Sequence, residues 1–134
     1  MANKTLKKVI DEFDALHVNA YTNDQKTIWI NELEANIQIE IFRTYPGIDP
    51  VTLLLVELTQ YEYDTDQNTS LLVGSPYDCL YGMYLACMAD FNSREWASYN
   101  NEKNMFNLKY LEYANFHNRT NTPKQPNSVK NTWN

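Results

Sequence analysis

At 134 residues the chain fits one domain, large enough by surface scaling to bury roughly two-thirds of its unfolded surface in one core and too small for two. Its formal charge of −6 is unevenly spread: residues 1–118 carry 8 Lys/Arg against 17 Asp/Glu, a net −9, while 119–134 carry 3 basic residues and no acid, a net +3. An acidic body with a few scattered terminal cations argues against groove-reading of DNA, because phosphate contacts supply most of that affinity.

Met1–Ile10 holds lysines but leads into no apolar run long enough for a signal sequence or membrane span, so neither is expected. Leu6, Val9, Ile10, Phe13 and Leu16 predict a short amphipathic helix over 4–15, ending near His17-Val18-Asn19. Thr22-Asn23-Asp24-Gln25 reads as a capping box. Trp29, Leu33, Ile37 and Ile41, with Ile30 beside them, then form the face of a second helix over 22–44, stopped by Pro46-Gly47.

Residues 46–74 change character. Val51–Leu58 is leucine-rich and β-branched, Asp64–Ser70 is a polar turn, and Leu71-Leu72-Val73 can pair back, which predicts a β-hairpin or flap. Such a hairpin is marginal alone in water and needs the helices or a neighbouring subunit for support.

Ser75-Pro76-Tyr77-Asp78 reads as a helix start, with Ser as N-cap and Pro in the first turn. Tyr77, Leu80, Tyr81, Tyr84, Leu85, Met88 and Phe91 give the apolar face of a helix over 76–91. Ser93 caps another over 94–118, striped by Trp96, Tyr99, Phe106, Tyr110, Tyr113 and Phe116. This pair, a hairpin or a bent rod, is the expected scaffold, with no internal repeat and no heptad seam. Cys79 and Cys87 sit about 12 Å apart on one helix, too far for a mutual disulfide. Reduced thiols point to folding in the cytoplasm. The 10 Tyr, 3 Trp and 5 Phe suit either surfaces buried on assembly or a Tyr-rich core. After Arg119 two prolines and the absence of periodicity predict a disordered basic tail. The expected architecture is therefore mainly all-α: a helical domain over 1–118 with a flap at 46–74, and a tail at 119–134.

Catalytic patterns are missing. His17 and His117 have no nucleophile or metal-ligand pattern beside them, and there is no Ser elbow, Gly-rich phosphate loop or CxxC. Asp64-Thr65-Asp66-Gln67-Asn68 echoes a calcium loop, but its sixth position is Thr69 and its twelfth Ser75, where Gly and a bidentate Glu are required. No enzyme activity, cofactor or metal is expected.

Three stretches, TLKKVIDEFDAL, NAYTNDQKTIWINELEANIQIEIF and SPYDCLYGMYLACMADFNSREWASYNNEKNMFNLKYLEYANF, cover about residues 5–44 and 75–118. In order and content they resemble the head–tail connector (adaptor, or head-completion) proteins of long-tailed bacteriophages and prophages. The resemblance implies an all-α virion subunit without enzyme activity or membrane contact, assembled in the host cytoplasm into a commonly twelvefold ring in the neck. It implies a portal protein on one side, a further head-completion or tail protein on the other, and DNA passing through the channel without sequence-specific binding. Side-by-side contact is assigned to Trp96, Tyr99, Tyr110 and Tyr113, and portal docking by the tail to Arg119, Lys124, Lys130 and Trp133. Two other readings stay open: a DNA-packaging or regulatory helical protein that touches DNA, and an unrelated partner-binding helical module.

Overall fold

A computed structural model describes residues 3–42 and 58–121 of the chain. Those residues are mainly helical: α1 (Leu6–Leu16), α2 (Asn23–Ile37, continued by a π-helical turn Gln38–Phe42), a short α3 (Tyr63–Asp66), α4 (Cys79–Asn92) and α5 (Trp96–Asn121). Among them there is no β-strand, only an isolated bridge between Thr5 and Ser70.

The start of α1 shows how its first-turn donors are satisfied. Thr5 Oγ1 accepts the Lys8 amide, while Leu6 and Lys7 N–H donate to the Thr69 and Gln67 carbonyls at 3.1 and 2.9 Å. Leu6, Val9, Ile10 and Phe13 face the core, but Leu16, expected in the same stripe, is exposed. At α2 the capping box forms in both directions: Gln25 N–H to Thr22 Oγ1 at 3.1 Å, and Thr22 N–H to Gln25 Oε1 at 3.0 Å. Its expected face of Trp29, Ile30, Leu33, Ile37 and Ile41 is buried.

Helix α4 occupies the centre, packed by α1, α2 and α5. It buries Leu80, Tyr81, Leu85, Ala86, Cys87 and Ala89, residues that point around much of its circumference. A helix apolar on most sides belongs in the interior.

Three expectations for this region are corrected. Ser75 and Pro76 do not begin the helix: tight turns carry the chain to Cys79, with Tyr77 N–H on the Gly74 carbonyl and Leu80 N–H on that of Tyr77. Ser93 does not cap α5 but ends α4, where Arg94 and Glu95 N–H reach back to the Phe91 and Asp90 carbonyls at 3.2 and 2.9 Å. That is a Schellman ending, and it places Arg94 in the left-handed region at φ 60°. Finally, there is a heptad seam. Tyr77 meets Tyr113, Tyr84 meets Phe106 and Phe91 meets Tyr99, at ring-centroid distances of 5.3, 5.6 and 5.3 Å. Each advance of two turns toward the end of α4 is matched by two turns back along α5, the register of an antiparallel hairpin.

The predicted β-hairpin is also corrected. Its first arm, Val51–Leu58, lies outside the described residues except for Leu58. Its second arm, Leu71–Val73, is irregular because its amides are engaged elsewhere: Leu71 N–H by the Lys4 carbonyl at 2.9 Å, Leu72 N–H by the Glu34 carboxylate at 3.0 Å, and Val73 N–H by the Tyr81 hydroxyl at 3.0 Å. Asn3 Nδ2 takes the Leu71 carbonyl at 2.7 Å. With no ladder donor left, residues 58–78 form a strap across α1, α2 and α4.

Two stability outcomes follow. Arg94→Gly relieves the left-handed backbone and raises stability by about 0.5–1 kcal/mol in urea unfolding. Phe106→Ala removes the middle rung of the seam and lowers it by about 2 kcal/mol in the same measurement.

Candidate functional site

On one side of α2, Asn31, Glu34 and Gln38 follow at helical spacing and all face the strap. Asn31 clamps the Tyr61 backbone, accepting its N–H at 2.8 Å and donating to its carbonyl at 3.0 Å. Gln38 Oε1 accepts the Thr59 amide at 2.9 Å and the Thr59 hydroxyl at 3.1 Å. Between them Glu34 is fully buried, at 0% exposure. Its carboxylate accepts the Tyr61 hydroxyl at 2.7 Å, the Tyr81 hydroxyl, and the Leu72 amide at 3.0 Å. Burial first, and the Glu34 charge second, hold both phenols well above the ordinary tyrosine range, so both remain protonated donors. Enclosed and committed to three donors, this carboxylate organises the strap; a general base needs a path to a substrate proton. Lys26 is a second buried charge, paired with Asp14 at 2.6 Å across α1 and α2.

A concavity of about 430 Å³ lies between α1, α4 and α5. Val9, Phe13, Met83, Ala86 and Met105 give it an apolar floor, deepened at Gly82, where an added Cβ would meet no atom within 4 Å. Glu12 and Asp78 edge it, and both sit by Lys4, at 2.8 and 4.0 Å. Glu102 stands on the α5 side, with a buried Oε1 that has no hydrogen-bond partner. Burial, then the neighbouring Asp90 carboxyl and Glu95, push Glu102 up to about 7. Two ionised carboxylates offer each other no donor, so their repulsion and the burial of Glu102 both favour its protonated form.

The third feature is the outer side of α5. Met105, Leu108 and Leu111 form a row there, exposed at 53, 66 and 58%. Of the residues assigned to subunit contact, Trp96 is half-exposed, edge-on to Phe91. Tyr99 lies partly buried with the Lys103 ammonium 5.5 Å from its ring centroid. Tyr110 donates to Glu40 at 2.6 Å, and Tyr113 is buried at 6% exposure against Tyr77. The open apolar surface of α5 is thus carried by Met105, Leu108 and Leu111, which the aromatic stripe concealed. Arg119 is exposed in the last turns of α5, whereas Lys124, Lys130 and Trp133 lie outside the described residues. His17 stacks on Phe13 at the end of α1, and His117 on Phe42, at 5.0 and 4.7 Å. Among the described residues no group of three His, Cys, Asp or Glu side chains is placed to hold a metal, and no helix is long and apolar enough to cross a membrane. Comparisons with protein-family models, curated proteins and solved structures find no match.

Glu34→Gln replaces one acceptor oxygen with a donor group facing other donors, and lowers stability by about 3 kcal/mol in urea unfolding. Glu102 adds a pH dependence with a defined sign. Its folded value lies above the unfolded 4.5, so its stabilisation is complete below pH 4.5 and is lost as pH rises through about 7. Because Glu102 is partly solvated, the effect is discounted to about 1 kcal/mol. Glu102→Gln should flatten this loss when unfolding midpoints at pH 5 and pH 8, on either side of the transition, are compared.

Proposed function

We propose that this chain is a structural subunit of a phage head–tail connector, which docks as a ring on the portal, extends the DNA channel and gives the tail its attachment platform. The observation that carries the reading is the row Met105, Leu108 and Leu111 on the 26-residue α5, an apolar edge in a subunit whose core is already closed. Contiguous exposed apolar surface of this kind is covered by a protein neighbour. The sequence resemblance supports a neighbour of the same kind, since its segments contain α1, α2, α4 and α5, the four helices that pack together. In this reading Trp96 and Tyr99 extend the contact at the hairpin end, and Arg119, Lys124, Lys130 and Trp133 reach the portal. The net −9 of residues 1–118 suits a conduit wall from which phosphates are repelled, so DNA slides without adhering.

The same apolar row also fits a helical module that binds an unrelated partner, and one experiment separates the readings. The chain is mixed with the portal protein encoded in the same genome and analysed by sedimentation and native mass spectrometry. A ring-sized complex is expected, and Leu108→Glu abolishes it while leaving the circular dichroism melt unchanged. Failure of the wild-type chain to bind the portal overturns the connector reading. Salt-dependent micromolar affinity for duplex DNA would favour the DNA-contacting alternative instead.

A further inference from the structure

We propose that the C-terminal segment 122–134 turns back on its own subunit and seats Trp133 in the cavity between α1, α4 and α5. This inference concerns the free subunit: it stands on the cavity and the segment's composition, does not depend on the connector reading, and requires that portal docking release Lys130 and Trp133. The site and its occupant match in three respects.

The first is reach. Met105 forms one wall of the cavity, and the described part of α5 ends at Asn121. The intervening helix is about 24 Å long at 1.5 Å per residue, and the stretch from 121 to 133 spans about 40 Å when extended. Trp133 therefore reaches every part of the cavity with slack. The second is shape and polarity. Val129 and Trp133 are the only large apolar side chains in 122–134. The 430 Å³ cavity, floored by Phe13, Met83 and Met105, accepts an indole. Methionines fill irregular gaps and make favourable sulfur–aromatic contacts.

The third is charge. Segment 122–134 carries Lys124 and Lys130 and no acid. The cavity rim has Glu12, Asp78 and Glu102. Lys4 already serves Glu12 and Asp78, whereas Glu102 makes no ion pair among the described residues. Lys130, three residues before Trp133, supplies that missing cation. Tethering makes a modest site sufficient: a linker of this length presents the indole at about millimolar effective concentration, so a site of about 0.1 mM affinity is filled about ten to one.

Cys79 serves as a built-in reporter. Its thiol is exposed and lines the cavity, whereas Cys87 is buried and its thiol is pushed up to about 11, so Cys87 stays silent near neutral pH. The rate of Cys79 modification by a water-soluble disulfide reagent is measured in the free full-length chain, in Trp133→Ala and in Met105→Lys. Met105 is half-exposed, so its substitution leaves the core packed, and unchanged circular dichroism melts verify this for both variants. Either substitution is expected to speed modification about tenfold, independently of protein concentration. Equal rates in all three proteins would overturn the proposal. So would protection that grows with protein concentration, which places Trp133 in the cavity of another copy. Because no portal is present, failure here and failure of the connector reading are separate results.

Discussion

A carboxylate with no exposure to solvent costs several kcal/mol of desolvation unless donors replace the water it has lost. Glu34 is in that position, and its three donors come from two elements: Tyr61 and Leu72 in the strap, and Tyr81 in the first turn of α4. The arrangement propagates outward. Tyr81 uses its hydroxyl a second time to accept the Val73 amide, which holds Leu71 and Val73 in the core. Residues 67–71 are then in place to cover the start of α1 and satisfy its first amides. An irregular segment thus obtains the backbone partners that a sheet would otherwise supply.

The hairpin of α4 and α5 is held by different physics. Rings at heptad positions meet tilted or edge-on, and the Schellman turn with Arg94 in its left-handed position reverses the chain. One side of α5 is used in this seam. Its opposite side retains Leu108 and Leu111, and on its flank Met105 forms a wall of the cavity that α1 and α4 leave open. The two surfaces available for binding are therefore both products of how α5 lies on α4.

Much of the helical layout was legible because it depends on local chemistry. The Thr22–Gln25 box and the stripe from Trp29 to Ile41 are set by bonds and contacts within a few turns. The strap was misread for a physical reason. Leu71-Leu72-Val73 has strand composition, but its amides bond to a carboxylate and a phenol distant in sequence, and no periodicity reports such partners. Glu34 sits among polar neighbours in NELEANIQ and looks like part of a solvated face; only its spacing from Asn31 and Gln38 hinted at a shared side. The aromatic rings were visible as a stripe, yet spacings of three and four concealed the steps of seven that pair α4 with α5. Tyr113 illustrates the consequence, being a residue of the seam and not of an open surface. Composition located the basic charge of the terminal segment but could not reveal the cavity between α1, α4 and α5.

The strap, the N-terminal helix and the central helix α4 are joined through one buried acid, while the outer side of α5 keeps Leu108 and Leu111 exposed. The amide protons of Leu72 and Val73 test that claim most directly, since they donate to Glu34 and to the phenol it holds. Native-state hydrogen exchange should show both protected to nearly the level of the core amides of α4, although neither lies in a helix or strand. Exchange of these two amides at the rate of exposed loop positions would contradict the account.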